Sequence, residues 1–369
     1  MPKGVSVFLT RSEYENLIIQ HGQFVYWKPT MPCPCTDSES ESPNPDCKIC
    51  AGRGHRYYDQ NEFKIIHEEL IMNRDEGKTL YGDILSVDKV YVDGMNAECF
   101  YGNQIIFDQV PANKGQKVYV DYTYTNKVKA TAVQGVYRGN GIVEFPTLTF
   151  TTKHGLICAY DIMSATDITN DTQASDEVIY ADGYKNFINI DTTYAGNITE
   201  VGDVITATVE YVKPQLMHIV GITPKMRYEN SFILEQADAQ LTVPNHLNIS
   251  KGDVFTLALS EQPFSLVKSF HDEVDELAHY DVSRIEKVIT EEGVDLINGT
   301  DFILIGRDKI KWLNSELLLG SYSMRYMYRT MFQALQDMPS IRYGENQPLP
   351  RRINLRSFNR LTTEEVQNI

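Results

Sequence analysis

The chain holds no apolar run near the roughly 20 residues that a membrane-spanning helix needs, and its opening, MPKGVSVFLTRSEYENLII, lacks an apolar stretch long enough for a secretory signal. Synthesis in a reducing cytosol is the expectation, where thiols stay reduced or bind metal rather than pair. Cysteine is scarce, at six in 369 residues, so any cluster of it carries meaning. Positive charge is in deficit: 34 Lys and Arg stand against 50 Asp and Glu, a formal net charge of −16. A general affinity for free nucleic acid is therefore excluded unless a basic patch is segregated somewhere. The patterns G-x-x-x-x-G-K-[ST], G-x-G-x-x-G, G-x-S-x-G and H-E-x-x-H are all missing. Phosphate-cradling, esterase and metalloprotease sites lose their sequence support with them, and a non-enzymatic role is the expectation.

What is present is ordinary globular material. Apolar residues make up 42% and charged residues 23%, which excludes disorder as the dominant state, and 369 residues exceed the span of one core. Past residue 65 the hydrophobic period is two, with Gly, Asn and Pro at the breaks, as in KVYVDGMNAECFYGNQIIFDQVPANKGQKVYVDYTYTNK. That pattern predicts a mainly β fold of antiparallel modules, sandwich-like or barrel-like, behind a short N-terminal helix. The helix is expected over residues 10–22, from the capping box Thr10 and Glu13, the apolar face Tyr14, Leu17 and Ile18, and the closing Gly22. Expected divisions are 1–65 for the helix and a cysteine knuckle, 66–214 and 215–340 for two β-rich domains, and 341–369 for an extended arm.

Four of the six cysteines fall in CPCTDSESESPNPDCKIC, as Cys33, Cys35, Cys47 and Cys50. Two close pairs joined by a short polar loop can bring four sulfurs to the corners of a tetrahedron, the arrangement a structural Zn²⁺ selects. Gly52 and Gly54 suit a chain wrapping tightly around a metal. The first pair is C-x-C rather than C-x-x-C, and His55 is an alternative ligand; free or disulfide-bonded cysteines are the competing assignment. Four thiolates leave no open position for water, so a catalytic metal is not expected. Cys99 and Cys158 sit among aromatic and aliphatic residues, as core thiols do.

One unit recurs: a short apolar strand, a turn, a glycine, then an alternating strand ending in tyrosine. It is seen at 105–124 and 310–328, with looser copies at 188–211 and 241–259. The 22 tyrosines suit strand rims that pack on one side and hydrogen-bond at an interface on the other.

Two further segments stand out. FHDEVDELAH holds His271, Asp272, Glu273, Asp275, Glu276 and His279. On a helix, His271, Asp275 and His279 would share a face and could ligate metal or support acid–base work, although such charged runs are usually solvated surface. RYGENQPLPRRINLRSFNR gathers Arg342, Arg351, Arg352, Arg356 and Arg360 around one acid, Glu345. Pro348 and Pro350 forbid a continuous helix there, so an extended arm that docks on an acidic neighbouring subunit is expected.

From Tyr280 onward the chain resembles structural proteins of tailed-bacteriophage virions. The resemblance rests on Val282, Arg284, Ile285 and Val288; on Gly299, Asp301 and Phe302; on Ile310 and Trp312; on Gly320, Tyr322, Ser323, Tyr326 and Tyr328; and on LPRR at 349–352, with the cysteine clasp at the N-terminus. It covers the first sixty residues and the last ninety. It implies a ring-forming neck or head-to-tail connector protein, homo-oligomeric, contacting portal, connector or tail components, with at most incidental contact with packaged DNA and none with a membrane. It is also compatible with a tail or baseplate structural protein; a tail-associated hydrolase is the enzymatic alternative.

Overall fold

A computed structural model describes residues 17–359 apart from 37–43, 45, 49, 51–53, 59, 80, 93–94, 97–98, 102–103, 108–116, 140, 153–154, 173–179, 191–199, 223–236, 245, 271–272, 314–319, 337–342, 345–346 and 349–350. Strands take up 65% of it and helix 2%, so the fold is mainly β and antiparallel throughout its named pairings. The expected N-terminal helix is present in its described part, 17–21, where Gly22 N closes the last turn on Ile18 O at 2.8 Å. A Cβ at Gly22 would lie 2.2 Å from that same oxygen, which is why the turn ends on glycine. No helix among the described residues is long and apolar enough to cross a membrane.

Three stretches of the chain share one topology. In each, three strands lie side by side in the order first, last, second. The first module uses Glu62–Glu69, Val118–Thr125 and Ile84–Val92. The second uses Lys127–Gly139, Val204–Val212 and Asp161–Asn170. The third uses Val254–Ser269, Ser321–Ala334 and Val282–Thr290. Their registers match as well: Tyr124 faces Ile84, Tyr211 faces Ile162, and Tyr328 faces Val282, each partner directly following an aspartate, Asp83, Asp161 or Asp281.

The central strand of each module alternates along its core-facing part, as period two demands of a strand with one face in a core. Val118, Val120, Tyr122 and Tyr124 point inward in the first, Ile205, Ala207 and Val209 in the second, and Tyr322, Met324 and Tyr326 in the third. The second module closes its own core around Val143, Phe145, Ile162, Ile188 and Ile205. The third builds another on Val282, Val288, Phe302, Ile310, Trp312 and Tyr322.

The sequence units at 105–124, 188–211 and 310–328 are the closing segments of these modules. They are not hairpins, because Ile105–Ile106, Phe187–Ile190 and Lys309–Trp312 all pair with strands other than the one that follows them. The segment 241–259 belongs to a different structure. Its strands join a closed six-strand ring that runs Gln23–Lys28, Gln215–Gly221, Ala239–Val243, Arg351–Ser357, the end of Ser321–Ala334, and the start of Val254–Ser269 back to Gln23–Lys28. Val25, Met217, Leu241, Phe255, Ile353 and Leu355 are fully buried in the core associated with it. Strand pairing thus crosses the divisions at 65, 214 and 340: the two ends of the chain meet in one barrel.

Candidate metal centre

The knuckle grows from the strand Thr30–Pro32, which pairs with His55–Tyr57 and so brings the first cysteine pair against the second. Cys33 N donates to Gly54 O at 2.8 Å, and Thr36 N donates to Cys33 O at 2.9 Å, turning the chain around the Cys33 sulfur. Gly54 takes φ +75°, the left-handed region that favours glycine, and its N–H points at Cys50 Sγ across 3.4 Å. Gly52 lies outside the described residues.

The result is a cluster in which the Sγ atoms of Cys33, Cys35, Cys47 and Cys50 all lie within 4.8 Å of one another. Cys33 and Cys47 sulfurs are 3.9 Å apart, and Cys35 and Cys50 sulfurs 3.5 Å. A tetrahedral site with metal–sulfur bonds of ~2.3 Å has edges of ~3.8 Å, so these separations fit a four-thiolate ion. They are far from the ~2.05 Å of a disulfide, and all four cysteines are free thiols. Burial pushes the Cys35 thiol up to about 12, with the neighbouring sulfurs adding to it. At Cys50 burial acts in the same direction, but the Gly54 N–H helps to outweigh it and the thiol lies below its ordinary value. Such a cluster exchanges protons for a cation on binding metal. His55 stands outside the four-sulfur group.

A carboxylate joins this knuckle to the barrel. Asp253, fully buried, accepts from Trp27 Nε1 at 2.9 Å, Thr30 N at 2.7 Å, Thr30 Oγ1 at 2.9 Å and Ser250 N at 3.0 Å. Burial still leaves its carboxyl above the usual range. Nothing in the sequence singled Asp253 out; its one signal is the turn SKGD, which reads equally well as surface.

The other candidate residues take different positions. The segment around Asp275 is a strand, Val274–Glu276, and not a helix, so the i, i+4 face of His271, Asp275 and His279 does not form. Pairing with Lys309–Trp312 overrides the helical spacing. Asp275 is buried and accepts from Trp312 Nε1 and Tyr322 Oη, each at 3.0 Å, with Lys268 Nζ 3.1 Å away. His279 is buried too: its Nδ1 lies 2.9 Å from Tyr326 Oη and its ring stacks on Tyr328. Burial pulls His279 down to about 4, a neutral imidazole used for packing. Glu273 and Glu276 form ion pairs with Lys311 and Lys309 on the surface, and His271 and Asp272 lie outside the described residues.

In the arginine segment, Arg351–Ser357 is extended, but as a full strand of the barrel between Ala239–Val243 and the end of Ser321–Ala334 rather than as a free arm. Ile353 and Leu355 supply the reason, since both are fully buried. Arg351 is half-buried and donates from Nη2 to Leu247 O at 3.3 Å; Arg352 is exposed and Arg356 half-buried. Arg342 and Arg360 fall outside the described residues.

No protein-family model matches the chain, and no curated protein matches it.

Proposed function

We propose that this protein is a non-enzymatic structural component of a tailed-bacteriophage virion, a ring-forming subunit of the neck or head-to-tail connector, made in the host cytoplasm. One observation carries the reading. The two ends of the chain that resemble virion proteins, far apart in sequence, build one body: Gln23–Lys28 and Arg351–Ser357 are strands of the same barrel, and Asp253 ties the cysteine knuckle to it. The positions Val282, Val288, Phe302, Ile310, Trp312, Tyr322 and Tyr326, on which the resemblance rests, pack in a single core cluster. A chain of small rigid β modules suits a part that bears load between neighbours.

Within this reading the four-cysteine centre holds Zn²⁺ as a staple. The ion supplies cross-linking of a polar loop that has little core of its own, and Cys33, Cys35, Cys47 and Cys50 are its ligands. Elemental analysis of purified protein is expected to give about one zinc per chain, abolished in a Cys47→Ser, Cys50→Ser double variant. Zinc retained by that variant would refute the assignment.

The virion reading is tested by imaging particles that carry a tag on the C-terminus of this chain. Density from the tag at the junction of head and tail is expected. Tag at the baseplate would move the protein to the tail, and particles without tag would remove it from the virion.

A further inference from the structure

The three modules are joined by the same side chain used twice. Asp83 opens the second strand of the first module, and its carboxylate pairs with Lys213, which directly follows the last strand of the second module. Asp161 holds the equivalent place in the second module. Its Oδ2 receives Arg329 Nη2 from the last strand of the third module at 2.9 Å, and Arg307 Nη1 from that module's turn at 2.9 Å. At each junction the aspartate before Ile84 or Ile162 grips a cation at the exit or turn of the module that follows. The two aspartates hold equivalent positions, while their cations come from different places: Lys213 past the end of Val204–Val212, Arg329 within Ser321–Ala334, and Arg307 from the turn.

The Asp161 junction is the fuller of the two. Asp161 and Arg329 are both buried. Arg307 Nη2 also donates to Ile162 O at 3.2 Å, and Lys185 N donates to Asp161 Oδ1 at 3.1 Å. Arg329 Nη2 is shared with Asp281 Oδ2 at 2.8 Å, and Lys185 Nζ pairs with Glu261 of the third module. Three acids, Asp161, Asp281 and Glu261, thus balance three bases, Arg307, Arg329 and Lys185. Buried ion pairs of this kind contribute little net stability against apolar replacements, yet removing one partner is costly, so what they can fix is geometry.

The second module is placed to use such a fixing. It is inserted between Val118–Thr125 and Gln215–Gly221, and its entry and exit run together: Lys127 faces Val212, and Lys213 N donates to Asn126 O at 2.7 Å. It carries its own core. Asp161 faces Val212, so the network grips the base of the module beside its two connectors. The strand Lys127–Gly139 then runs roughly 40 Å toward the far end at ~3.3 Å per residue, where Val201 is 76% exposed. A small rotation at the base becomes a large displacement at that end.

We propose that Asp161 is an orientation latch: it sets the angle of the second module against the third, and its loss frees the module to rotate on its paired connectors while the module itself stays folded. Asp83 is the corresponding latch toward the first module. The virion assignment is not needed for this.

The test is a distance distribution on the full chain, from spin labels carried on non-natural residues at Val201 and at Val294, which is 55% exposed on the third module. The wild type is expected to give one narrow distance. Asp161→Asn is expected to at least double its width, with slow amide exchange kept at Ile205 and Val209 in the module core. An unchanged width with the fold intact overturns the proposal. Should Asp161→Asn fail to fold, Arg307→Gln decides instead: it removes a cation of the third module that pairs with Asp161, so broadening upholds the latch and wild-type width overturns it.

Discussion

Trp27 Nε1 donates to Asp253 Oδ2 across 2.9 Å, and through this contact the strand that leads into the cysteine knuckle is bonded to a carboxylate with no solvent exposure. Replacing Asp253 with Ala leaves Trp27 Nε1, Thr30 N and Ser250 N without their acceptor. The expected cost is about 3 kcal/mol, since each buried donor left unpaired loses about 1–3 kcal/mol and neighbouring losses are not additive. Chemical denaturation monitored at Trp27 measures it, and a change under 1 kcal/mol would show that the carboxylate is not the anchor.

Gly252, next to that carboxylate, is held at φ +93°, and a Cβ there would lie 3.2 Å from both the His55 ring and Thr30 Oγ1. Gly252→Ala is therefore strained in backbone and crowded in packing, with an expected loss of about 1–2 kcal/mol. Gly221, where an added Cβ meets nothing within 4 Å, is the control. Equal thermal midpoints for the two alanine variants would contradict the packing described for the knuckle.

Acid should act through Asp161. Burial pushes its carboxyl up, but Arg307 and Arg329 outweigh burial and hold it well below the usual carboxylate range. A depressed carboxylate contributes stability that is present above its unfolded value of about 3.9 and lost as pH falls toward the folded value. The gap in thermal midpoint between wild type and Asp161→Asn is expected to be widest above roughly pH 5 and to narrow steadily toward pH 2. A gap that stays constant over that range would mean the charge of Asp161 contributes nothing.

Arg352 and Arg356 face outward more than the Ile353 and Leu355 beside them, whereas Arg351 bonds Leu247 O within the fold. An Arg352→Ala, Arg356→Ala variant is expected to keep its folding stability within about 0.5 kcal/mol of wild type while losing incorporation into particles. Arg351→Ala should cost stability as well. Normal incorporation of the double variant would leave these arginines as ordinary surface.

Much of this was legible in the sequence because it depends on local spacing. The alternation in VYVDYTY and SYSMRYMY marks central strands, and C-x-C with C-x-x-C marks the sulfur cluster. Tyr124, Tyr211 and Tyr328 close three equivalent modules, and a repeat ending in tyrosine is visible at each. What was not legible depends on pairing between distant segments. Arg351–Ser357 looks like an arm until Ala239–Val243 is placed beside it, and Asp275 and His279 read as part of a charged, mostly solvated helix face until Trp312, Tyr322 and Tyr326 take up their hydrogen bonds. Asp161 gives no local sign of its partners, since Arg307 and Arg329 lie 146 and 168 residues away.

The most direct test of the account is a reconstruction of the assembled particle from which the copy number and arrangement of this chain can be counted. Identical subunits with heterologous contacts close into rings, so the prediction is a closed ring of several copies at the junction of head and tail. A single copy per particle, or density for this chain nowhere in the virion, would contradict it.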